Sequence, residues 1–123
     1  MKKILLIIAL VLIAVPCFAK EYSTTFTADT TKSVATFTSG KTWDATVRAN
    51  GTWGSGTITW YHSLDACSTK VALKDLSGTT VTSTADDMFN VTLGNAHTKM
   101  QYLCATLAGS TNPSLTVKVY DNN

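Results

Sequence analysis

Apolar and polar side chains alternate with a period of two along most of the chain after residue 20, and this pattern constrains the fold most. Successive side chains of a β-strand point to opposite faces of a sheet, so each alternating set lies on one face. The sets are Ile58 and Trp60; Phe89, Val91 and Leu93; Met100, Tyr102 and Cys104; and Leu115, Val117 and Val119. No stretch of this region sustains a helical period. The sequence therefore predicts an all-β domain.

Turn residues divide this region into short strands. The turn signals are Asn50-Gly51, Gly54-Ser55-Gly56, Ser77-Gly78, Gly94-Asn95 and Gly109-Ser110. Strands are predicted over residues 22–28, 33–38, 42–49, 56–63, 70–74, 79–83, 88–93, 99–107 and 114–120. Short strands at this spacing favour a β-sandwich or a jelly roll. Without a linker or an internal repeat, residues 20–123 are expected to form one domain.

The first nineteen residues are predicted to be a secretory signal peptide. Lys2 and Lys3 precede an unbroken apolar run over residues 4–15, and Ala19 is the small residue before the expected cut. Twelve residues rise about 18 Å as a helix, well short of the roughly 30 Å hydrocarbon core, which favours cleavage over anchoring. Cys17 follows a proline, which disfavours lipidation. The expected location is the periplasm, the cell surface or the medium, with no membrane span after cleavage.

Charge argues against a nucleic-acid partner. The whole chain has a formal net charge of +2, but Lys2 and Lys3 belong to the predicted signal. Without them, eight Lys and Arg residues balance eight Asp and Glu residues. Binding to nucleic acid needs clustered Lys and Arg, which the sequence does not show.

Export also bears on the cysteines, because Cys67 and Cys104 remain after the signal is removed. Two cysteines in an oxidising compartment are most simply explained as one disulfide. The alternative is a metal-binding or reactive thiol pair. Zinc sites usually contain close Cys-x-x-Cys pairs, and this spacing lacks them, so a disulfide is favoured.

Few residues are candidates for catalysis or metal binding. His62, Asp65 and His97 are candidates for an acid–base pair or a metal site, but their spacing matches no catalytic or metal-binding motif. The adjacent Asp86 and Asp87 are candidates for calcium ligands, yet the Asp-x-Asp-x-Asp-Gly loop pattern is absent. The sequence therefore predicts no enzyme activity, no cofactor and no metal.

Exposed aromatic side chains bind sugars and protein partners, which makes Trp53, Trp43 and Tyr61 candidate contacts. Trp60 continues an alternating apolar set and is expected in the core. Trp53 lies in the glycine-flanked segment 50–56, where a strand is hard to hold, and is the strongest candidate. The alternative is that Trp53 folds back and caps the end of the sandwich. Both remain open from the sequence.

A series of strand and turn motifs occupies residues 56–119. The motifs are Gly56-Thr-Ile-Thr-Trp-Tyr-His-Ser63 with Leu64-Asp65, Val71-Ala-Leu-Lys-Asp-Leu-Ser-Gly78, Phe89-Asn-Val-Thr-Leu93, Leu107-Ala-Gly-Ser-Thr111 and Ser114-Leu-Thr-Val-Lys-Val119. In this order they resemble small β-sandwich proteins of tailed-phage virions. The resemblance implies a structural or decorative domain at tails, fibres or capsid surfaces, without enzymatic activity.

The sequence thus favours a non-catalytic structural or binding module, either associated with a virion or displayed at the cell surface. Its expected partner is a protein or a cell-surface glycan, and self-assembly is a further expectation. The alternative is a secreted or periplasmic domain that binds a ligand or inhibits a target. A hydrolase built on His62 and Asp65 is the least favoured hypothesis.

Overall fold

The computed structural model describes residues 20–38, 42–94 and 99–122. The regular elements in these ranges are β-strands: Glu21–Phe26 (β1), Thr30–Phe37 (β2), Trp43–Thr52 (β3), Thr57–Ser63 (β4), Val71–Ala72 (β5), Thr82–Ser83 (β6), Asp87–Leu93 (β7), Gln101–Ala108 (β8) and Ser114–Asp121 (β9). The predicted all-β class is confirmed. The predicted signal peptide and His97 lie outside the described residues. In the part of the chain that the structure describes, no helix has the length and hydropathy that a membrane span requires.

The strands form two antiparallel sheets that pack face to face as a β-sandwich. The first sheet has the order β1-β9-β3-β7. The second has the order β2-β8-β4, and the two short strands β5 and β6 both pair with the free side of β4. Buried apolar side chains from both sheets meet in one cluster, which is the core. Most neighbouring strands are distant in sequence, so the sheet order depends on long-range pairing.

The core contains three of the four predicted alternating sets. These are Ile58 and Trp60 on β4, the largely buried set Phe89, Val91 and Leu93 on β7, and Leu115, Val117 and Val119 on β9. Burial of such side chains stabilises a domain by about 1.5–3 kcal/mol each. Thr116 and Lys118, which alternate with the β9 set, are less buried on the opposite face.

The fourth set, which β8 carries, lies on the side of the strand that faces away from the core. Leu103, Ala105 and Leu107 are the residues of β8 that enter the core. Met100 precedes the strand and is 46% exposed, and Cys104 lies on the outer face of the sheet. The alternating set Met100, Tyr102 and Cys104 is therefore not the one that enters the core. Both alternating sets of β8 contain apolar residues, so periodicity alone does not distinguish the two faces.

The prediction of a turn at Asn50-Gly51 is wrong, because β3 continues to Thr52 and Gly51 pairs with Leu115 of β9. A Cβ atom at Gly51 would lie 2.2 Å from the carbonyl oxygen of Ser114. Glycine therefore permits this close approach of two strands. The chain turns only afterwards, where the amide of Gly56 donates to the carbonyl of Trp53 at 2.9 Å.

Candidate binding surface

The segment over residues 71–83, which contains β5 and β6, forms a hairpin at the edge of the second sheet. Two backbone bonds hold its base to β4: Leu73 N–H donates to the Trp60 carbonyl at 2.9 Å, and Trp60 N–H donates to the Val81 carbonyl at 3.2 Å. A third joins the two arms, where Val81 N–H donates to the Leu73 carbonyl at 2.9 Å. The predicted strands 70–74 and 79–83 thus shorten to two residues each, because the arms leave β4 and pair with each other. We call this segment the 71–83 hairpin.

A carboxylate at the tip of the 71–83 hairpin fixes the shape of its turn. Asp75 accepts hydrogen bonds from the amide of Ser77 at 2.9 Å and from the amide of Thr79 at 2.9 Å. The Ser77 hydroxyl donates to the same oxygen at 2.6 Å. These bonds, chiefly the one from Ser77, lower the pKa of Asp75 below its ordinary value. Gly78 adopts a φ of 84°, which favours glycine and completes the turn.

Leu76 stands at this tip with its side chain fully exposed. Its neighbours Asp75 and Ser77 hold the backbone by the bonds just described, so the leucine projects from an ordered turn. A scattered exposed apolar residue needs no explanation, but one beside an apolar concavity indicates an interaction site. Leu76 borders such a concavity.

A groove of about 500 Å³ separates the 71–83 hairpin from β7. Leu73, Leu76 and Val81 line its hairpin side, and Phe89 and Val91 line the β7 side. The volume lies within the range of about 300–1,000 Å³ that ligand and side-chain pockets occupy. We call this face of the sandwich its open side; it comprises the groove, the 71–83 hairpin and the edge of β7.

Phe89 connects the groove to the core. Its ring centroid lies 5.2 Å from that of Trp60 in an edge-to-face arrangement. The indole N–H of Trp60 donates to the hydroxyl of Ser83 at 3.0 Å, and this hydroxyl donates to Asp87 at 2.7 Å. The buried side chain of Trp60 therefore supports both walls of the open side, through Phe89 on β7 and Ser83 on the hairpin.

The two tryptophans predicted as contacts are buried. Trp53 is 9% exposed and its indole N–H donates to Asp86 at 3.0 Å, so it folds back onto the core as the alternative hypothesis stated. Trp43 is 7% exposed and stacks on Phe37 at a centroid distance of 5.2 Å. Their expected role as exposed contacts is wrong, because a sandwich of this size needs its large aromatic side chains in the core.

Tyr61, the third predicted contact, is half-buried on the outer face of the second sheet, away from the open side. The ammonium group of Lys70 lies 5.1 Å from its ring centroid, a distance typical of a cation–π contact. The structure therefore does not bring Trp43, Trp53 and Tyr61 together into one surface. Leu76 was missed by sequence reasoning because leucine in a turn carries no periodic signal.

Cys67 and Cys104 are joined in a disulfide with a Cα–Cα distance of 6.0 Å, and this confirms the predicted pairing. The bond fastens the loop after β4 to the outer face of β8. The amide of Cys67 also donates to the hydroxyl of Ser63 at 3.0 Å. This attachment explains why Cys104 is buried although it faces away from the core.

Two of the predicted acid–base candidates, His62 and Asp65, line a second concavity together with Lys99, while His97 lies outside the described residues. The carboxylate of Asp65 accepts hydrogen bonds from the hydroxyl of Ser63 at 2.7 Å and from the amide of Thr69 at 2.7 Å. These bonds, with Ser63 the largest cause, lower the pKa of Asp65 to about 2. Asp65 thus holds the disulfide loop in place and is ionised at neutral pH.

Asp86 and Asp87, the predicted calcium candidates, bind different partners. Asp86 accepts from the indole of Trp53 and, at 3.0 Å, from the amide of Gly51, while Asp87 accepts from Ser83. Both carboxylates therefore stabilise loops around the core. Among the described residues, no group of three or more His, Cys, Asp or Glu side chains is placed to hold a metal ion.

The pKa of Asp65 predicts a dependence of stability on acid pH. Its ordinary pKa of 3.8 applies to the unfolded chain and its folded value is about 2, so its contribution is complete above pH 3.8 and is lost as the pH falls towards 2. We expect the urea midpoint of Asp65→Asn to fall less than that of the wild-type protein as the pH is lowered from 3.8 towards 2. Ser63→Ala, which removes the largest cause of the shift, is the companion variant. An unchanged pH profile in both variants would contradict the assignment.

Comparisons with protein-family models, curated proteins and solved structures give no match for this chain. The feature that favours a function is the open side, where the exposed Leu76 on a hydrogen-bonded turn borders a partly apolar groove. Its chemistry suits the binding of an apolar side chain or segment from another protein.

Proposed function

We propose that this chain is an exported, non-catalytic binding module, displayed at a cell surface or on a phage virion as a tail, fibre or capsid decoration. The observation that carries the proposal is the exposure of Leu76 on a turn held by Asp75, next to the groove lined by Leu73, Val81 and Phe89. An ordered apolar anchor beside an apolar groove is the arrangement in which a few residues supply most of a binding energy.

A protein partner suits this surface better than a glycan. Sugars commonly stack on exposed aromatic rings, whereas Trp43, Trp53 and Trp60 are all buried in the core. The apolar part of the groove lining consists of four aliphatic side chains and Phe89, and the rest of the lining is polar or charged, including Asp75 and Asp87. Such a surface fits an apolar side chain of a partner protein, and Leu76 fits a pocket on that partner.

Two features of the chain support export. The Lys-rich start, apolar run and Ala19 suit a cleaved leader. The disulfide between Cys67 and Cys104 is of a kind that persists in oxidising compartments. Display outside the cytoplasm would place the open side where it meets other surface or virion proteins.

The first experiment locates the protein. Peptide mass spectrometry is applied to purified phage particles and, separately, to the envelope and the medium of the producing cells. Peptides that begin at Lys20 and are enriched in particles or envelope support display and processing. Peptides found only in the medium would overturn display and favour the alternative, a secreted ligand-binding or inhibitor domain.

A second experiment tests the contact itself. Protein expressed with its own leader is purified, labelled and added back to the particles or cells on which it was found. We expect Leu76→Asp to weaken retention about 30-fold, as for the loss of a hot-spot residue worth about 2 kcal/mol. Leu64→Asp places the same charge on another exposed leucine and serves as the matched control. Equal retention of the Leu76→Asp variant and the wild-type protein would contradict the open-side assignment.

A further inference from the structure

The groove between the 71–83 hairpin and β7 carries negative charge as well as apolar surface. Asp75 on the hairpin and Asp87 on β7 line it together with the five apolar side chains already described. Lys74 also lies among the lining residues, and its ammonium group donates to the hydroxyl of Thr80 at 2.6 Å. Two carboxylates and one ammonium group leave the lining with an excess of negative charge.

Asp87 lies on the same face of β7 as the apolar residues of the groove. Asp87, Phe89 and Val91 alternate along the strand, and Phe89 and Val91 both pack on the core. Residues that share a face of a strand are about 6.8 Å apart along it. The side chain of Asp87 is therefore next to that of Phe89 along this wall of the groove, at a distance of one strand repeat.

Each of the two carboxylates keeps an oxygen for a further donor. The hydrogen bonds that Asp75 accepts from Ser77 and Thr79 go to Oδ1, and the bond that Asp87 accepts from Ser83 goes to Oδ2. A carboxylate offers about four lone-pair sites on its two oxygens. The bonds from Ser77 and Thr79 lower the pKa of Asp75, so it is ionised at neutral pH. A cation bound in the groove can therefore reach a carboxylate oxygen without breaking the hairpin turn.

We propose that the groove recognises an extended segment of the partner protein in which an apolar residue and a lysine or arginine are two positions apart. The apolar side chain packs against Phe89, Leu73 and Val81, and the cation binds the carboxylate of Asp87. Both contacts form at once, because side chains two positions apart in an extended segment have the same spacing as residues 87 and 89. Asp75 attracts the same cation from the hairpin side. This inference rests on the proposed function and specifies the chemistry of its partner.

The carboxylates make the groove selective among apolar segments. A neutral segment that fills the groove covers Asp87, which is half-buried, and removes water from its carboxylate without replacing the lost hydrogen bonds. An acidic segment adds repulsion between like charges. A segment with a cation in the right position replaces the water by a charge-assisted hydrogen bond. Selection therefore comes from the cost of the wrong segment as well as from the contact with the right one.

Retention on cells or particles tests the role of the carboxylates. Asp87→Asn removes the charge but keeps an oxygen that can accept from Ser83, so the support of Trp60 is preserved. We expect this variant to weaken retention about tenfold, and Asp75→Asn, at a more exposed position, to weaken it about threefold. Asp29→Asn is the matched control and is expected to leave retention unchanged. Asp29 also accepts from backbone amides, and it precedes β2, at the opposite edge of the second sheet.

Peptide binding to the wild-type protein gives a second measurement that does not depend on the folding of a variant. Two acetylated and amidated hexapeptides are the probes: one contains leucine and lysine separated by one threonine, and the other has glutamine in place of the lysine. Binding is followed by the amide shifts in NMR spectra of isotope-labelled protein that was expressed with its own leader. We expect shifts in the 71–83 hairpin and β7, and about fivefold tighter binding of the lysine peptide. Salt at about 1 M should reduce this difference, because it screens the charges.

Equal binding of the two peptides, the absence of shifts with either, or full retention of Asp87→Asn would overturn the proposal. The retention of Leu76→Asp separates this result from a failure of the proposed function. If Leu76→Asp loses retention while Asp87→Asn keeps it, the recognition of a cation is refuted and the proposed function stands. If both variants are retained like the wild-type protein, both inferences fail.

Discussion

Removal of the disulfide is expected to lower the free energy of unfolding by about 4 kcal/mol. The bond joins residues 37 positions apart, and the chain-entropy model gives roughly this value for a loop of that length. Because a domain has only about 5–15 kcal/mol of net stability, the melting temperature should fall by about 20 °C. The variant is Cys67→Ser with Cys104→Ala, since alanine avoids an unpaired hydroxyl at the buried position 104.

The measurement is urea unfolding at neutral pH, followed by far-UV circular dichroism. Reduction of the wild-type protein by dithiothreitol is the control, and it should shift the midpoint as far as the double substitution does. If the reduced protein and the variant are both as stable as the oxidised protein, the bond makes no contribution and the loop is held by Asp65 and Ser63 alone.

Trp60→Ala is the second change with a large expected effect, about 3–5 kcal/mol of unfolding free energy. Trp60 is fully buried, contacts Phe89 and donates to Ser83. Alanine leaves a cavity between the sheets and removes the side chain that supports both walls of the open side. Besides lower stability, we therefore expect weaker retention on cells or particles, as for Leu76→Asp.

Trp60→Phe is the matched variant for this prediction. Phenylalanine keeps most of the buried volume but removes the indole N–H that bonds to Ser83, so the expected loss is smaller, about 1–2 kcal/mol. Circular dichroism is preferred to fluorescence because the substitution removes one of three tryptophans. Equal losses for alanine and phenylalanine would mean that the hydrogen bond, and not the packing, is the main contribution.

Much of the fold could be predicted because it is encoded locally. Each predicted strand overlaps an observed one, since alternation of apolar and polar side chains is a property of consecutive residues. The failures have physical reasons. Apolar residues lie on both faces of β8, so periodicity does not show which face enters the core. Asn50-Gly51 matches a turn signal, although Gly51 in fact permits the close approach of β9.

The candidate site was less predictable. Aromatic residues were expected to make contacts, but Trp43 and Trp53 are among the largest side chains available to fill a small core. Leu76 lies in a stretch that matches an ordinary turn, and only its exposure on the 71–83 hairpin distinguishes it. The groove beside Phe89 exists because residues 73–81 and β7, which belong to different sheets, come together.

The all-β class, the approximate strand positions and the pairing of the two cysteines thus follow from local periodicity and from the few thiols present. The order of strands in each sheet, the face of β8 that enters the core and the exposure of Leu76 follow from long-range packing. Those properties depend on which distant segments pack together and exclude water. The most stable of the alternative packings depends on the whole chain.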